Sequence, residues 1–102
     1  MVDAASLMDG INQKIADNKV MVYSKSYCPF CVATKDLLRG KNIAFEVVEL
    51  DQVPDGAQIQ AALAQKSGQR TVPNIFINGQ HVGGNSDLQA LNSSGDLDAR
   101  VA

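Results

Sequence analysis

Apolar residues along the chain switch between helical and strand spacing. Leu7, Ile11 and Ile15 recur every four residues, with Met8 widening the stripe. That spacing predicts an amphipathic helix, capped by Asp3 and closed at Asn18. Val20, Met21, Val22 and Tyr23 follow without a polar break, as in a short strand buried on both faces. Ser24 to Tyr27 reads as loop. Helical spacing returns at Val32, Ala33, Leu37 and Leu38. Pro29 suits the first turn, where a missing N–H loses no partner, and Gly40 predicts the stop. Ile43 to Leu50 contains a second strand through Phe45, Val47 and Val48. Strand, helix and strand take about 30 residues, the size of a βαβ unit, so the two strands should be parallel.

A third helix restarts at Val53-Pro54-Asp55, with Asp55 or a neighbour as cap, carries Ile59 and Leu63, and ends at Ser67-Gly68. Gln69 to Pro73 leads into the strand Asn74-Ile75-Phe76-Ile77. Asn78-Gly79 predicts a type I′ turn, and Gln80, His81 and Val82 form the return strand. Gly83-Gly84 breaks it, Asn85 or Ser86 caps a helix through Leu88 and Leu91, and Asp96 to Val101 adds a last turn. The order is α/β: a parallel pair, then an antiparallel hairpin, with helices for both faces of one four-stranded sheet. No linker or repeat divides the chain, so residues 1–102 are expected to form one domain.

Composition narrows the function mainly by exclusion. With 102 residues, 45% apolar, 20% charged and a net charge of −2, the chain has no broad basic field for nucleic acid or an anionic membrane. No apolar run approaches the roughly 18 residues of a membrane span. The first ten residues carry Asp3 and Asp9 and no arginine, unlike a secretory or transit signal. A cytoplasmic monomer is the expectation.

The chemistry lies in Tyr27-Cys28-Pro29-Phe30-Cys31, which holds the only two cysteines. A bridge over so small a loop removes little chain entropy, so a structural disulfide is a poor reading. Half a zinc site is another, but there is no second pair, and the lone His81 lies far along the chain on a hairpin strand. Two inert core cysteines are a third; Pro29 and the helix-start position speak against it. A redox dithiol fits best. Cys28 would sit where a helix presents unpaired N–H groups and the positive end of its dipole, both of which favour thiolate. Lys25 can add positive charge. Cys31, in the first turn, can donate S–H to the Cys28 anion and later attack it.

Three separated motifs, Tyr27-Cys28-Pro29-Phe30-Cys31, Thr71-Val72-Pro73 and Gly83-Gly84-Asn85-Ser86-Asp87, together resemble a dithiol (class I) glutaredoxin over nearly the whole chain. Thioredoxins usually carry Trp-Cys-Gly-Pro-Cys, and this chain has no tryptophan. The resemblance implies a thioredoxin fold with sheet order β2-β1-β3-β4, a cis Val72–Pro73 bond, and glutathione as reducing cosubstrate, with glutathionylated proteins and other disulfides as substrates. It implies Cys28 as nucleophile and Cys31 as resolving thiol, and no metal. Lys25 and Arg70, with Gln65, would hold the glycine carboxylate of glutathione. Val72, before Pro73, would pair with its cysteinyl backbone, and Thr71 would line the groove. Gly83-Gly84 would allow close approach, Ser86 would receive the γ-glutamyl carboxylate, Asp87 the α-amine, and Tyr27 and Phe30 would form an apolar wall.

Simpler readings exist for several of these: Lys25 as a solvated loop charge, Asp87 as a helix-start charge, Gly83-Gly84 as a turn, His81 as a strand surface residue. Phe30 stands where tyrosine is commoner in the family. A rival function, also implied by the family, is a dimer bridged by a [2Fe–2S] cluster on Cys28 and glutathione, which Pro29 disfavours. A reductase-coupled, thioredoxin-like reductant is a third, weakened by Lys25 and the Gly83–Asp87 segment.

Overall fold

The alternation hidden inside the two apolar runs builds the molecule. A computed structural model describes residues 3–102. Its elements are α1 (Ala4–Asp17), β1 (Val20–Ser24), α2 (Pro29–Gly40), β2 (Glu46–Glu49), α3 (Gly56–Ser67), β3 (Asn74–Ile77), β4 (Gln80–Gly83), α4 (Asn85–Ser94) and α5 (Asp96–Val101). The sheet order is β2-β1-β3-β4. β1 is parallel to β2 and antiparallel to β3, and β3 pairs antiparallel with β4. This is the thioredoxin-fold arrangement expected above.

β1 and β3 are central, and successive side chains point to opposite faces. Met21, Tyr23 and Phe76 join Ile11, Ile15, Leu50, Ala62 and Leu63 in a core beneath α1 and α3. Val20, Val22, Ile75 and Ile77 join Leu38, Leu88 and Leu97 beneath α2, α4 and α5. Both strands are therefore apolar at nearly every position because each face has its own core.

Asp3 caps α1 as predicted, its carboxylate accepting the Ser6 N–H at 2.8 Å. Asn78 and Gly79 both have positive φ, 50° and 79°, as the type I′ turn requires. Three local expectations are corrected. Gly40 is the last helical residue rather than the stop; the chain leaves α2 through Asn42 at φ 57°. The Ile43 N–H reaches Leu38 O (2.9 Å) and the Asn42 N–H reaches Arg39 O (3.0 Å), the paired bonds of a Schellman motif. Val32, counted with the apolar stripe of α2, is 41% exposed, while Thr34 and Lys35 are buried. Neither Asn85 nor Ser86 caps α4: the cap is Gly84.

Candidate active site

The β1–α2 junction sets Cys28 at the N-cap of α2, with extended backbone (φ −84°, ψ 121°) and Pro29 as the first helical residue. Its carbonyl accepts the Val32 N–H at 3.0 Å, so its side chain is left facing the unpaired N–H groups of the first turn. Partial burial pushes the Cys28 thiol up, but the opposing influences win and its pKa lies below the ordinary thiol value. These are the N–H and thiol of Cys31, the N–H of Phe30 and the charge of Lys35. Cys31 behaves oppositely. It is fully buried, and desolvation raises its pKa despite the Lys25 N–H that its sulfur accepts at 3.5 Å. One thiol is half-buried with a lowered pKa, the other fully buried with a raised one, the asymmetry that a nucleophile and a resolving thiol would need.

Cys28 Sγ lies 4.0 Å from the Val72 carbonyl oxygen. The Val72–Pro73 peptide is cis, as expected. The Gln69 side-chain amide donates to the Thr71 and Pro73 carbonyls at 2.9 and 2.8 Å, bracing this loop from within. A groove of about 370 Å³ opens here between Phe30, Thr71, Val72 and Pro73 on one side and Gly84, Asn85 and Ser86 on the other. Six residues singled out from sequence thus meet in one groove beside the nucleophile.

The far wall is the start of α4. Gly83 has φ 125°, and a Cβ there would stand 2.1 Å from the Asp87 carboxylate, so only glycine fits. Asp87 Oδ2 accepts the Gly84 N–H at 2.9 Å. Glycine has no side chain to reciprocate, so this is half of a capping box. The simpler reading of Asp87 as a helix-start charge is therefore correct for one of its oxygens.

Lys25, Tyr27, Gln65 and Arg70 do not line that groove. Tyr27 is 71% exposed and Phe30 65%, an apolar pair flanking Cys28 at the surface. Gln65 and Arg70 are exposed, on α3 and just after it. Arg70 borders a separate depression with Gln60 and Ala64, and its carbonyl accepts from the Gln60 amide at 2.9 Å. Lys25 contributes charge to Asp51; the cation felt by Cys28 is Lys35. His81 is an exposed residue of edge strand β4, bonded to Asn74 Oδ1 at 3.0 Å.

Several residues that shape the site went unread in the sequence. Lys35 is buried and bonded to Glu49 at 2.7 Å. Thr34 donates its hydroxyl to Asn85 Oδ1 at 3.0 Å, tying α2 to the groove's far wall. The Asp51 carboxylate accepts both the backbone N–H (2.9 Å) and hydroxyl of Ser26, anchoring the loop before Cys28. Each pair spans 14 or more positions, beyond any local pattern. The one available signal was that Thr34 and Lys35 follow Cys31 by three and four positions, on the same inward side of α2.

Fold and site together define a thioredoxin-fold thiol oxidoreductase with one half-buried, acidified cysteine and a fully buried partner. The family model "Glutaredoxin" matches residues 20–82. The rice (Oryza sativa subsp. japonica) protein Glutaredoxin-C6 is 53% identical over 85 residues, covering 83% of this chain and 76% of that protein. Glutaredoxin-2 of Schizosaccharomyces pombe is 46% identical over 92 residues, covering 90% and 84%. Among solved structures, a buckwheat glutaredoxin–glutathione complex superposes with a TM-score of 0.94 at 38% identity, covering 96% of this chain and 89% of that one. The chain belongs to the glutaredoxin family and is a glutaredoxin oxidoreductase.

Proposed function

We propose that this glutaredoxin uses glutathione to reduce protein–glutathione mixed disulfides and other small disulfides, through Cys28 with Cys31 as resolving thiol. The observation that carries the reading is an acidified, half-buried Cys28 thiol 4.0 Å from the Val72 carbonyl oxygen, at the border of the Val72–Ser86 groove. The Cys28 thiolate attacks the glutathione sulfur of a mixed disulfide. The new S–S bond forms as the old one breaks, and the protein thiol departs. A second glutathione then attacks, leaving oxidised glutathione and free Cys28. With dithiol substrates, Cys31 instead closes a Cys28–Cys31 disulfide that two glutathiones reopen.

The groove suits such a ligand group by group. The Val72 backbone is positioned to pair with the cysteinyl residue of glutathione, and Thr71 and Pro73 border it. The free N–H groups at Asn85 and Ser86 favour the γ-glutamyl carboxylate. The Asp87 oxygen not used on Gly84 would take the α-amine. Lys25, Gln65 and Arg70 are proposed for the glycine carboxylate, reaching in from outside the groove, and Tyr27 and Phe30 for the apolar flank. Support comes from the buckwheat relative, whose structure contains glutathione.

The test is glutathione-dependent reduction of a glutathionylated peptide by Cys31→Ser and Cys28→Ser proteins. Turnover should persist in the first and vanish in the second. Deglutathionylation by the Cys28→Ser protein would sink the assignment. Activity confined to the intact dithiol protein would instead indicate a thioredoxin-like route without a glutathione site.

A further inference from the structure

The loop between α3 and β3 carries the backbone proposed to meet substrate, and its carbonyls are held in two different ways. Gln69 donates through one nitrogen, Nε2, to the Thr71 carbonyl at 2.9 Å and the Pro73 carbonyl at 2.8 Å. An amide nitrogen has two hydrogens, and both are used here. The Val72 carbonyl, between them, turns instead toward Cys28 Sγ, 4.0 Å away. Arg70 O is taken by the Gln60 amide at 2.9 Å. Val72 is therefore the one residue of the stretch 70–73 whose carbonyl accepts no N–H among the described residues, and its own N–H is bonded to none of them.

Gln69 can hold this position because its own backbone is fixed. Gly68, at φ 78°, ends α3, and the Gln69 N–H donates to Ser67 Oγ at 3.2 Å. That hydroxyl donates in turn to Leu63 O at 2.8 Å and accepts from the Asn74 amide at 3.1 Å. Asn74 opens β3 and is 1% exposed. The Gln69 carboxamide thus starts from a point tied to both α3 and β3 and bridges the loop between them. A neighbouring strand would supply N–H groups to alternate carbonyls of such a segment, but it would find no N–H at Pro73 to accept in return. One side chain with two hydrogens takes that strand's place.

We infer that Gln69 is a positioning residue for substrate: by holding the Thr71 and Pro73 carbonyls, it fixes the Val72 N–H and C=O as a one-residue pairing edge for the cysteinyl backbone of a glutathionyl disulfide. The inference rests on the glutathione reading proposed above. In an antiparallel pair, two opposed residues exchange both of their N–H···O bonds, so a single residue suffices if its two groups stand still. Val72 stands beside the sulfur that must attack. The pairing selects disulfides that carry a peptide backbone at the reacting sulfur. Without the clamp, the segment would have to be ordered at each encounter, which weakens binding and leaves the thiol itself untouched.

The experiment uses reduced protein carrying Cys31→Ser, so that Cys28 is the only thiol, and follows a single exchange by stopped flow near neutral pH. Two symmetric disulfides are compared: oxidised glutathione, with a peptide backbone at each sulfur, and cystamine, with none. In both, the Cys28 thiolate bonds to one sulfur and the other leaves as thiolate. Each rate is divided by that of free N-acetylcysteine thiolate, which removes the disulfides' own reactivity. Neither Gln69→Met nor Gln69→Glu can donate to both carbonyls. Each should slow the reaction with oxidised glutathione on the order of tenfold, the scale of ordering one residue's backbone, and change that with cystamine by less than about twofold. A loss of fold or of thiol acidity would slow both alike. Gln69→Glu keeps the size and polarity of glutamine, so it decides the matter if the methionine variant folds poorly. An unchanged preference for oxidised glutathione in the variants, or equal slowing with both disulfides, would overturn the clamp and leave the glutathione reading standing. A parent protein with no preference for oxidised glutathione would overturn that reading and the clamp with it.

Discussion

Lys35 shows how much a single buried charge can do at a thiol site. It lies one turn beyond Cys31, and helical side chains lean toward the N-terminus, so its stem runs back toward the two sulfurs. Lysine is rarely buried without a partner, and Glu49 supplies one at 2.7 Å with side chains only 10% and 19% exposed. Breaking such a pair from one side costs about 3–5 kcal/mol, whereas replacing both partners with neutral groups is often close to neutral. The informative variant is therefore Lys35→Met with Glu49→Gln. It should fold, and its Cys28 pKa should rise, because the positive charge that favours the thiolate is gone. The sign is readable in alkylation kinetics, which follow the thiolate. On a Cys31→Ser background, reaction with iodoacetamide should be slower than in the parent at pH 6 and equal to it near pH 10. An unchanged midpoint would assign Cys28's acidity to the helix N–H groups alone.

At the level of elements, the groove is built by two helix starts facing each other, α2 with Cys28 and α4 with Gly84. The α4 start depends on one carboxylate and one glycine. Asp87→Ala removes the acceptor of the Gly84 N–H, a cap worth about 1 kcal/mol, while Gly83→Ala meets both an unfavourable φ and the Asp87 carboxylate. Urea unfolding of the ligand-free protein should show a loss of about 1 kcal/mol for the first and a larger one for the second. A fully stable Asp87→Ala protein would mean that the carboxylate serves only ligand. Such local devices account for what could be seen in the sequence. The apolar run of β1, the Asn78-Gly79 turn, Pro29 after Cys28 and the glycine pair at 83–84 each encode their geometry within a few residues. Lys35, Thr34 and Asp51 were invisible for the converse reason. Their partners lie on other elements, and a lysine on a helix looks the same in sequence whether it faces water or Glu49. Val32 misled in the other direction, an apolar residue at helical spacing that α2 leaves on its outer side. Gly40 misled because glycine is the commoner stop, and Asn42, which also tolerates a left-handed conformation, took its place.

For the whole molecule, the two thiols couple folding to pH with opposite signs. Cys28 has its pKa depressed by folding, so the stability it contributes is fully present above the unfolded thiol value near 8.5 and lost as pH falls through its folded pKa. Cys31 has its pKa raised, so its contribution is fully present below about 8.5 and lost as pH rises toward its folded pKa. Protons bound by the unfolded and folded chains differ in opposite directions on the two sides of that value. The thiol contribution to stability in the reduced protein should therefore rise with pH up to about 8.5 and fall beyond it. Chemical denaturation under a phosphine reductant across pH 5–10 reads this out. Subtracting the curve of Cys28→Ser from that of wild type should leave mainly the rising limb, and subtracting Cys31→Ser mainly the falling one. The separation is incomplete by design, because the Cys31 thiol is itself one of the groups that hold Cys28 acidic. Removing Cys31 should therefore also move the rising limb toward higher pH. That displacement measures how strongly the resolving thiol prepares the nucleophile before any substrate arrives. A rising limb that stays put in Cys31→Ser would show that α2 and Lys35 suffice to set the Cys28 thiolate, and that the two sulfurs first meet energetically during the exchange itself.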